Sequence, residues 1–260
     1  MIKIKTIIFV LCIIYFCSFS RGAQAESVQD SVSPQRQFAR GNDYYEKGEY
    51  DNAIKEYSNI ILQGYAGGDI YYNLAGAYFK KGNLGNAILN YKRAEFFMPR
   101  SADLNANYKF AKDKINGKII PDKGIWMWRP VRLYEKFFTV NELIIVCSIM
   151  YLAILSVFII TMLFPEARKY RLWIVIFLAG GILFTSLIIY HKTKDMKSLA
   201  VTIVPEAKAL FGPFDSATKF FTLKEGMIVR VINAKDDWYK VRRSDGKVAW
   251  VKEGQIEKVW

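Results

Sequence analysis

The sequence predicts a multi-domain chain: an all-α repeat solenoid, a transmembrane helical hairpin and a small C-terminal all-β barrel. Three observations predict it. Positions 38–60 resemble positions 72–94 at an offset of 34 residues, the mark of stacked two-helix units. Two uncharged runs, 143–164 and 172–190, have 22 and 19 residues, enough to cross a hydrocarbon layer of about 30 Å. Beyond residue 198 the pattern changes to short β-rich runs divided by turns. A chain of 260 residues has room for these modules and not for a large enzyme domain besides.

The N-terminus reads as an address. Lys3 and Lys5 precede an apolar run from Thr6 to Phe19, and Ala23-Gln24-Ala25 supplies a small-x-small cleavage site. Residues 1–25 are therefore expected to be a secretory signal peptide, cleaved after Ala25, with an uncleaved anchor as the alternative. The residue before Cys17 is Phe16, where lipoprotein processing needs a small side chain. Cleavage removes Cys12 and Cys17 and leaves Cys147 without an internal disulfide partner.

Composition narrows the chemistry. One histidine, His191, and three cysteines are too few for a Cys/His zinc site or a disulfide framework. The sequence contains no G-x-x-x-x-G-K-[ST] loop, no H-E-x-x-H and no Ser/His constellation. A non-enzymatic protein with no metal and no cofactor is expected. The formal net charge is +13. Its excess is densest in residues 118–198, with 11 basic and 5 acidic side chains. Charge placed around apolar spans suits anionic lipid headgroups, whereas a nucleic-acid binder concentrates it on a soluble domain. No nucleic-acid partner is expected.

The repeat places like residues in register. Gly41 meets Ala75, Tyr44 meets Tyr78, Gly48 meets Gly82, Ala53 meets Ala87, Tyr57 meets Tyr91 and Ile60 meets Ala94. Small residues at 41/75 and 53/87 let two helices approach, and the tyrosines fill the space beside them. Gly48 and Gly82 suit helix C-termini, and Pro99 ends the second copy. Ser101 is a candidate N-cap for a capping helix over 101–115, with Leu104, Tyr108 and Ala111 on one face. In period and signature positions the region 34–116 resembles the tetratricopeptide repeat family. The resemblance implies a groove lined by the first helix of each pair. The matching positions are Phe38, Asn42 and Tyr45, then Tyr72, Gly76 and Phe79. A carboxylate clamp needs Lys and Asn there, and only Asn42 fits. The expectation is an aromatic groove for an apolar segment; the alternative is that these rings pack between repeats.

The two spans are joined by residues 165–171, so both flanks emerge on one side of the membrane. Export by the signal places the soluble parts in the periplasm and the loop, with Arg168, Lys169 and Arg171, in the cytoplasm, in accord with the positive-inside rule. Residues 117–142, with Trp126, Trp128, Arg129, Arg132, Tyr134, Phe137 and Phe138, read as an interfacial linker. The absence of Asp, Glu, Lys, Arg or His inside the spans argues against a transporter or proton relay.

In 199–260 the predicted strands are 200–204, 219–223, 227–232, 238–241 and 248–251. Ser244-Asp245-Gly246-Lys247 marks a hairpin. Gly212-Pro213, Gly226, Trp238-Tyr239-Lys240-Val241, Asp245-Gly246-Lys247 and Trp250-Val251 resemble a bacterial SH3-like domain. The resemblance implies protein or peptidoglycan partners, with Trp238 and Tyr239 either forming the binding surface or lying in the core.

The order of signal, repeats, membrane hairpin and SH3-like domain, over residues 34–258, resembles the BatE family of bacterial aerotolerance operons. That resemblance implies an inner-membrane, periplasm-facing component. Its partners would be von Willebrand factor A-type membrane proteins and a MoxR-type ATPase system, with a link to oxidative stress. Two functions are expected from the whole: a membrane-anchored scaffold, or a cell-wall-linked sensor whose SH3-like domain binds peptidoglycan.

Overall fold

The computed structural model describes residues 33–115, 134 and 137–260. The expected signal segment and most of the interfacial linker, including Trp126, Trp128, Arg129 and Arg132, lie outside the described residues. Pro34–Trp260 hold together as a single unit.

Among the described residues, five helices come first. α1 (Pro34–Glu46) pairs with α2 (Tyr50–Leu62), α3 (Gly68–Lys80) pairs with α4 (Leu84–Phe97), and α5 (Ala102–Asp113) packs on α4. Pro34 opens α1, where a missing N–H costs nothing. The two hairpin turns are built alike. Gly48 and Gly82 sit at φ of 77° and 83°, which a side chain would disfavour. The following N–H groups, of Glu49 and Asn83, then donate to the carbonyls of Tyr44 and Tyr78. Asn83 caps α4 through the Asn86 N–H, and the Ser101 hydroxyl accepts from the Leu104 N–H at 3.2 Å. Close packing explains Gly41: a Cβ there would come within 2.5 Å of the Tyr57 ring, and Tyr57 is fully buried.

Two apolar helices follow. α6 (Val140–Leu163) begins with a capping box, in which Thr139 and Glu142 satisfy each other's backbone N–H. α7 (Arg168–Ser198) has 31 residues. At 1.5 Å per residue they span about 36 and 46 Å, more than a bilayer core of about 30 Å. Both are long and apolar enough to cross a membrane, and Trp173 and Phe177 stand 73% and 79% exposed. The connection is tighter than the seven residues expected. Phe164 ends α6, Pro165–Ala167 make one 3₁₀ turn, and Arg168–Arg171 are already helical. Pro165 at the first position of the 3₁₀ turn accounts for the sharp restart. At its other end α7 runs on past Tyr190 to Ser198 and enters the barrel directly. No Gly or Pro stands between Gly181 and Pro205 to stop it.

The expected barrel is one seven-stranded sheet: β1 (Leu199–Thr202), β2 (Glu206–Leu210), β3 (Lys219–Lys224), β4 (Ile228–Lys235), β5 (Trp238–Arg242), β6 (Val248–Lys252) and β7 (Ile256–Lys258). The order is β3-β2-β6-β5-β4-β1-β7, and every pairing is antiparallel. The β5–β6 hairpin turns at Gly246, φ 87°, with the Arg243 N–H donating to the Lys247 carbonyl. Leu223, Val241 and Val251 are fully buried in its core. β2 and β7 lie beyond the five strands expected.

The barrel and the helices share a core. Val201 and Val259, both fully buried, join Tyr71, Ile88, Leu89 and Tyr91 in one apolar cluster, with Ile203 and Ile228 packed against it. Gly85 fits under the β1–β2 turn, where a Cβ would lie 2.7 Å from the Thr202 carbonyl oxygen. Its N–H donates to the Glu225 carboxylate at 2.8 Å, so the barrel places a negative charge on the first turn of α4. The Trp260 ring contacts those of Tyr71, Phe96 and Phe97 at 5.6–5.8 Å between centroids. The apolar hairpin is tied in at both ends: Arg100 bonds the Phe137 carbonyl and Glu142, and Asp195 pairs with Arg230 at 2.8 Å.

Candidate functional site

A cleft of about 410 Å³ opens where α1, α3 and α5 lie side by side. That volume is within the range of ligand-holding pockets. Its walls carry the rings of Tyr45, Tyr57, Tyr72, Phe79, Tyr91 and Phe110. Gly76 leaves space that the Tyr45 hydroxyl approaches, to 3.4 Å from where a Cβ would sit. Phe79 and Phe110 meet at 5.6 Å, and Tyr72 and Tyr91 at 6.1 Å, between centroids.

Polar groups in the cleft are amides and phenols. The Tyr57 hydroxyl donates to Asn42 Oδ1 at 2.7 Å, and Asn73 Nδ2 donates to the same oxygen at 2.9 Å. Asn107 Nδ2 donates to the Tyr72 hydroxyl at 2.6 Å. Burial pushes Tyr57 up to about 12. It also raises Tyr45, helped by the neighbouring Tyr50 and Tyr72, and Tyr91. These phenols stay neutral at physiological pH. The only charged lining residues are Glu46 and Lys80, one of each sign.

Of the residues expected in the groove, Asn42, Tyr45, Tyr72 and Phe79 line this cleft. Phe38 is not among the lining residues. Its ring packs on Tyr57, 5.8 Å between centroids, and joins the Ala53–Tyr57–Leu74 core cluster. It thus takes the alternative place, packing between helices. Asn73, Asn107 and Phe110 were not foreseen. Asn107 follows Asn73 by 34 residues, so extending the repeat offset into α5 finds it.

On the barrel, Trp238 is 8% exposed and therefore lies inside, not on an open ligand surface. Its position in β5 opposite Lys252 brings the Lys252 ammonium to 5.7 Å from the ring, and that ammonium bonds Asp215 at 3.0 Å. Tyr239 is half-buried. Its hydroxyl donates to Glu253, and Lys258 lies 4.4 Å over its ring. The open aromatic surface of the barrel is instead Phe211, Phe214 and Phe220, which are 62%, 55% and 38% exposed. No group of three or more His, Cys, Asp and Glu side chains able to hold a metal occurs among the described residues.

Residues 205–258 match the bacterial SH3 domain family. The match begins after β1, although β1 pairs with both β4 and β7. No curated protein matches the chain.

Proposed function

We propose that this chain is a non-enzymatic, membrane-anchored adaptor whose helical cleft grips a segment of a protein partner. The observation that carries this reading is the cleft itself. Tyr45, Tyr72 and Phe79 converge on one opening between α1, α3 and α5, and buried aromatic anchors dominate protein recognition. The helical region acts as a tetratricopeptide-type solenoid, supported by the matched turns at Gly48 and Gly82. α6 and α7 form the membrane hairpin, with both soluble parts on its periplasmic side and the Pro165–Ala167 turn in the cytoplasm. In this reading the protein serves a BatE-type aerotolerance system beside von Willebrand factor A-type and MoxR-type partners.

The test is partner capture from membranes by the full chain and by a Tyr45→Ala/Phe79→Ala double variant. The variant should keep its helical circular dichroism and lose the captured proteins. Retention of the same proteins at the same yield by the folded variant rejects the cleft as the partner site. A second reading, peptidoglycan binding by the barrel, is favoured by the exposed Phe211, Phe214 and Phe220 on a bacterial SH3 domain. Sedimentation with purified peptidoglycan distinguishes it. The full chain must be used, because the barrel alone would expose Val201 and Val259.

A further inference from the structure

β4, β5 and β6 set their side chains in rows, because residues directly opposite in register share one face of a sheet. Val231, Val241 and Ala249 form a row that turns into the core. The registers on either side of it build the opposite face. Arg230 stands opposite Arg242, and Arg242 opposite Val248. Asn233 stands opposite Lys240, and Lys240 opposite Trp250. Lys235 stands opposite Trp238, and Trp238 opposite Lys252. Five of these nine residues are cations, two are tryptophans and none is an acid. Asp236 and Asp237 lie in the turn between β4 and β5, outside the rows.

Two of the cations are neutralised within the chain. Asp195 pairs with Arg230 at 2.8 Å, and Asp215 pairs with Lys252 at 3.0 Å. Lys235, Lys240 and Arg242 take part in no ion pair among the described residues. The Lys240 ammonium lies 5.7 Å from the Trp250 ring, and that of Lys252 lies 5.7 Å from the Trp238 ring. Such contacts hold a cation in place without cancelling its charge. Trp238 is buried and Trp250 half-buried, so the face presents charge rather than apolar surface.

The pair with Asp195 also orients the face. Arg230 is in register with Leu199, the first residue of β1. Its side chain nevertheless reaches back to Asp195, four residues earlier on α7, which is about 6 Å along the helix. In the hairpin reading of α6 and α7 this is the direction of the bilayer. Asp195 stands five residues beyond Tyr190, the last of the uncharged run. That is about 8 Å of helix, the thickness of a headgroup layer.

Resting on the reading of α6 and α7 as a membrane hairpin, we propose that this face of the sheet docks on the headgroups of anionic lipids, with Lys235, Lys240 and Arg242 as the contacts. The contact is electrostatic, because the indole rings lie among the charges and are largely covered. It draws the soluble body onto the bilayer that anchors it, and it weakens as salt screens the charges.

The test uses the full chain with Cys12, Cys17 and Cys147 replaced by Ser and an Asn233→Cys substitution carrying a bimane dye. The protein is reconstituted into vesicles of phosphatidylcholine, alone or mixed with phosphatidylglycerol, that contain a lipid with a nitroxide on its headgroup. Quenching of the dye reports contact with the headgroups. Strong quenching is expected with phosphatidylglycerol at low salt, and weak quenching at high salt or in phosphatidylcholine alone. Arg242→Gln should lower the docked-to-free ratio about fivefold, the effect of one cation at an anionic surface. Lys235→Gln/Lys240→Gln/Arg242→Gln should abolish the dependence on phosphatidylglycerol. Equal quenching in both lipids, or none in either, overturns the docking proposal, as does an undiminished dependence in the triple variant. Alkaline carbonate extraction of the same vesicles reads the hairpin separately. A chain that stays with the vesicles but shows no lipid dependence leaves the membrane anchor standing and ends the docking proposal alone. A chain released by carbonate ends both. The comparison of lipids and salts on the protein without the glutamine substitutions needs no further variant to fold.

Discussion

Arg93 holds Glu257 at 2.8 Å, and through that contact α4 holds β7. The same guanidinium donates to the backbone carbonyls of Val259 at 2.9 Å and Lys258 at 3.1 Å. One side chain thus fixes the last residues of the chain to a helix more than 160 positions earlier. The barrel and the helices are one body because of such contacts and the apolar cluster behind them, not merely because one chain links them.

The ion pair and the backbone bonds contribute differently. Glu257 is 43% exposed, so its charge is screened, and Glu257→Gln should cost less than about 1 kcal/mol. Arg93→Ala strips donors from two backbone carbonyls at a packed seam and should cost about 2 kcal/mol or more. Apparent melting temperatures of the two variants in detergent check the order. Equal shifts would mean that the carbonyl contacts carry no weight.

Gly85 gives a test whose sign decides. On a free helix face Gly→Ala stabilises by roughly 0.5–1 kcal/mol, since Ala loses less entropy. Here the added Cβ would meet Thr202 O at 2.7 Å and Ile203 Cα at 2.8 Å, both backbone atoms. The barrel must shift to admit it, and Gly85→Ala should destabilise by about 1–3 kcal/mol. Proteolysis between the helices and the barrel should also speed up. A stabilised variant would show that the barrel does not dock on α4.

The sequence shows the helices well and the seam hardly at all. Gly48 and Gly82 mark their turns through composition and spacing alone, and the apolar runs at 143–164 and 172–190 announce α6 and α7. β2 escapes because Glu-Ala-Lys-Ala-Leu uses residues of low strand propensity, although its burial alternates. β7 has three residues, too few for a period. Docking leaves no local pattern, because Arg93 and Val259 are 166 positions apart. One trace does exist. Ala87, Ile88, Leu89 and Tyr91 are all buried on α4, and four such close positions cannot face one side of a helix. In the cleft, the repeat register found Asn42, Tyr45, Tyr72 and Phe79, but it could not distinguish Phe38, which α2 covers with Tyr57.

Alkali should loosen the cleft before neutral conditions do. Burial holds the Tyr57 phenol at about 12, against 10.0 for a free phenol. A group raised in the folded state contributes stability that is complete below the unfolded value and lost as pH climbs to the folded one. The contribution of Tyr57 is therefore constant below about pH 10 and lost between about pH 10 and 12; Tyr45 and Tyr91 act in the same direction. Tyrosinate absorbance followed with circular dichroism checks this. The late-titrating phenols should ionise together with unfolding, and Tyr57→Phe should flatten the dependence. Complete ionisation of every tyrosine ahead of any loss of helix would contradict the burial of the cleft.

Topology follows from the tight turn between α6 and α7. Phe164–Ala167 leave no length for a soluble excursion, so the chain before α6 and the chain after α7 must share one side if the hairpin spans a bilayer. Arg100–Glu142 and Asp195–Arg230 reinforce this by tying both ends of the hairpin to the same soluble body. Single cysteines at Asp43, Ser216 and Lys169, all exposed, report the sides in a background with Cys12, Cys17 and Cys147 replaced by Ser. An impermeant thiol reagent applied to intact spheroplasts should label Asp43→Cys and Ser216→Cys, and should reach Lys169→Cys only after lysis. The reverse pattern would keep the hairpin and place the cleft in the cytoplasm, ending the periplasmic adaptor reading. Labelling of Asp43→Cys and Ser216→Cys on opposite sides is incompatible with the shared core, since Tyr71 and Trp260 could not then touch.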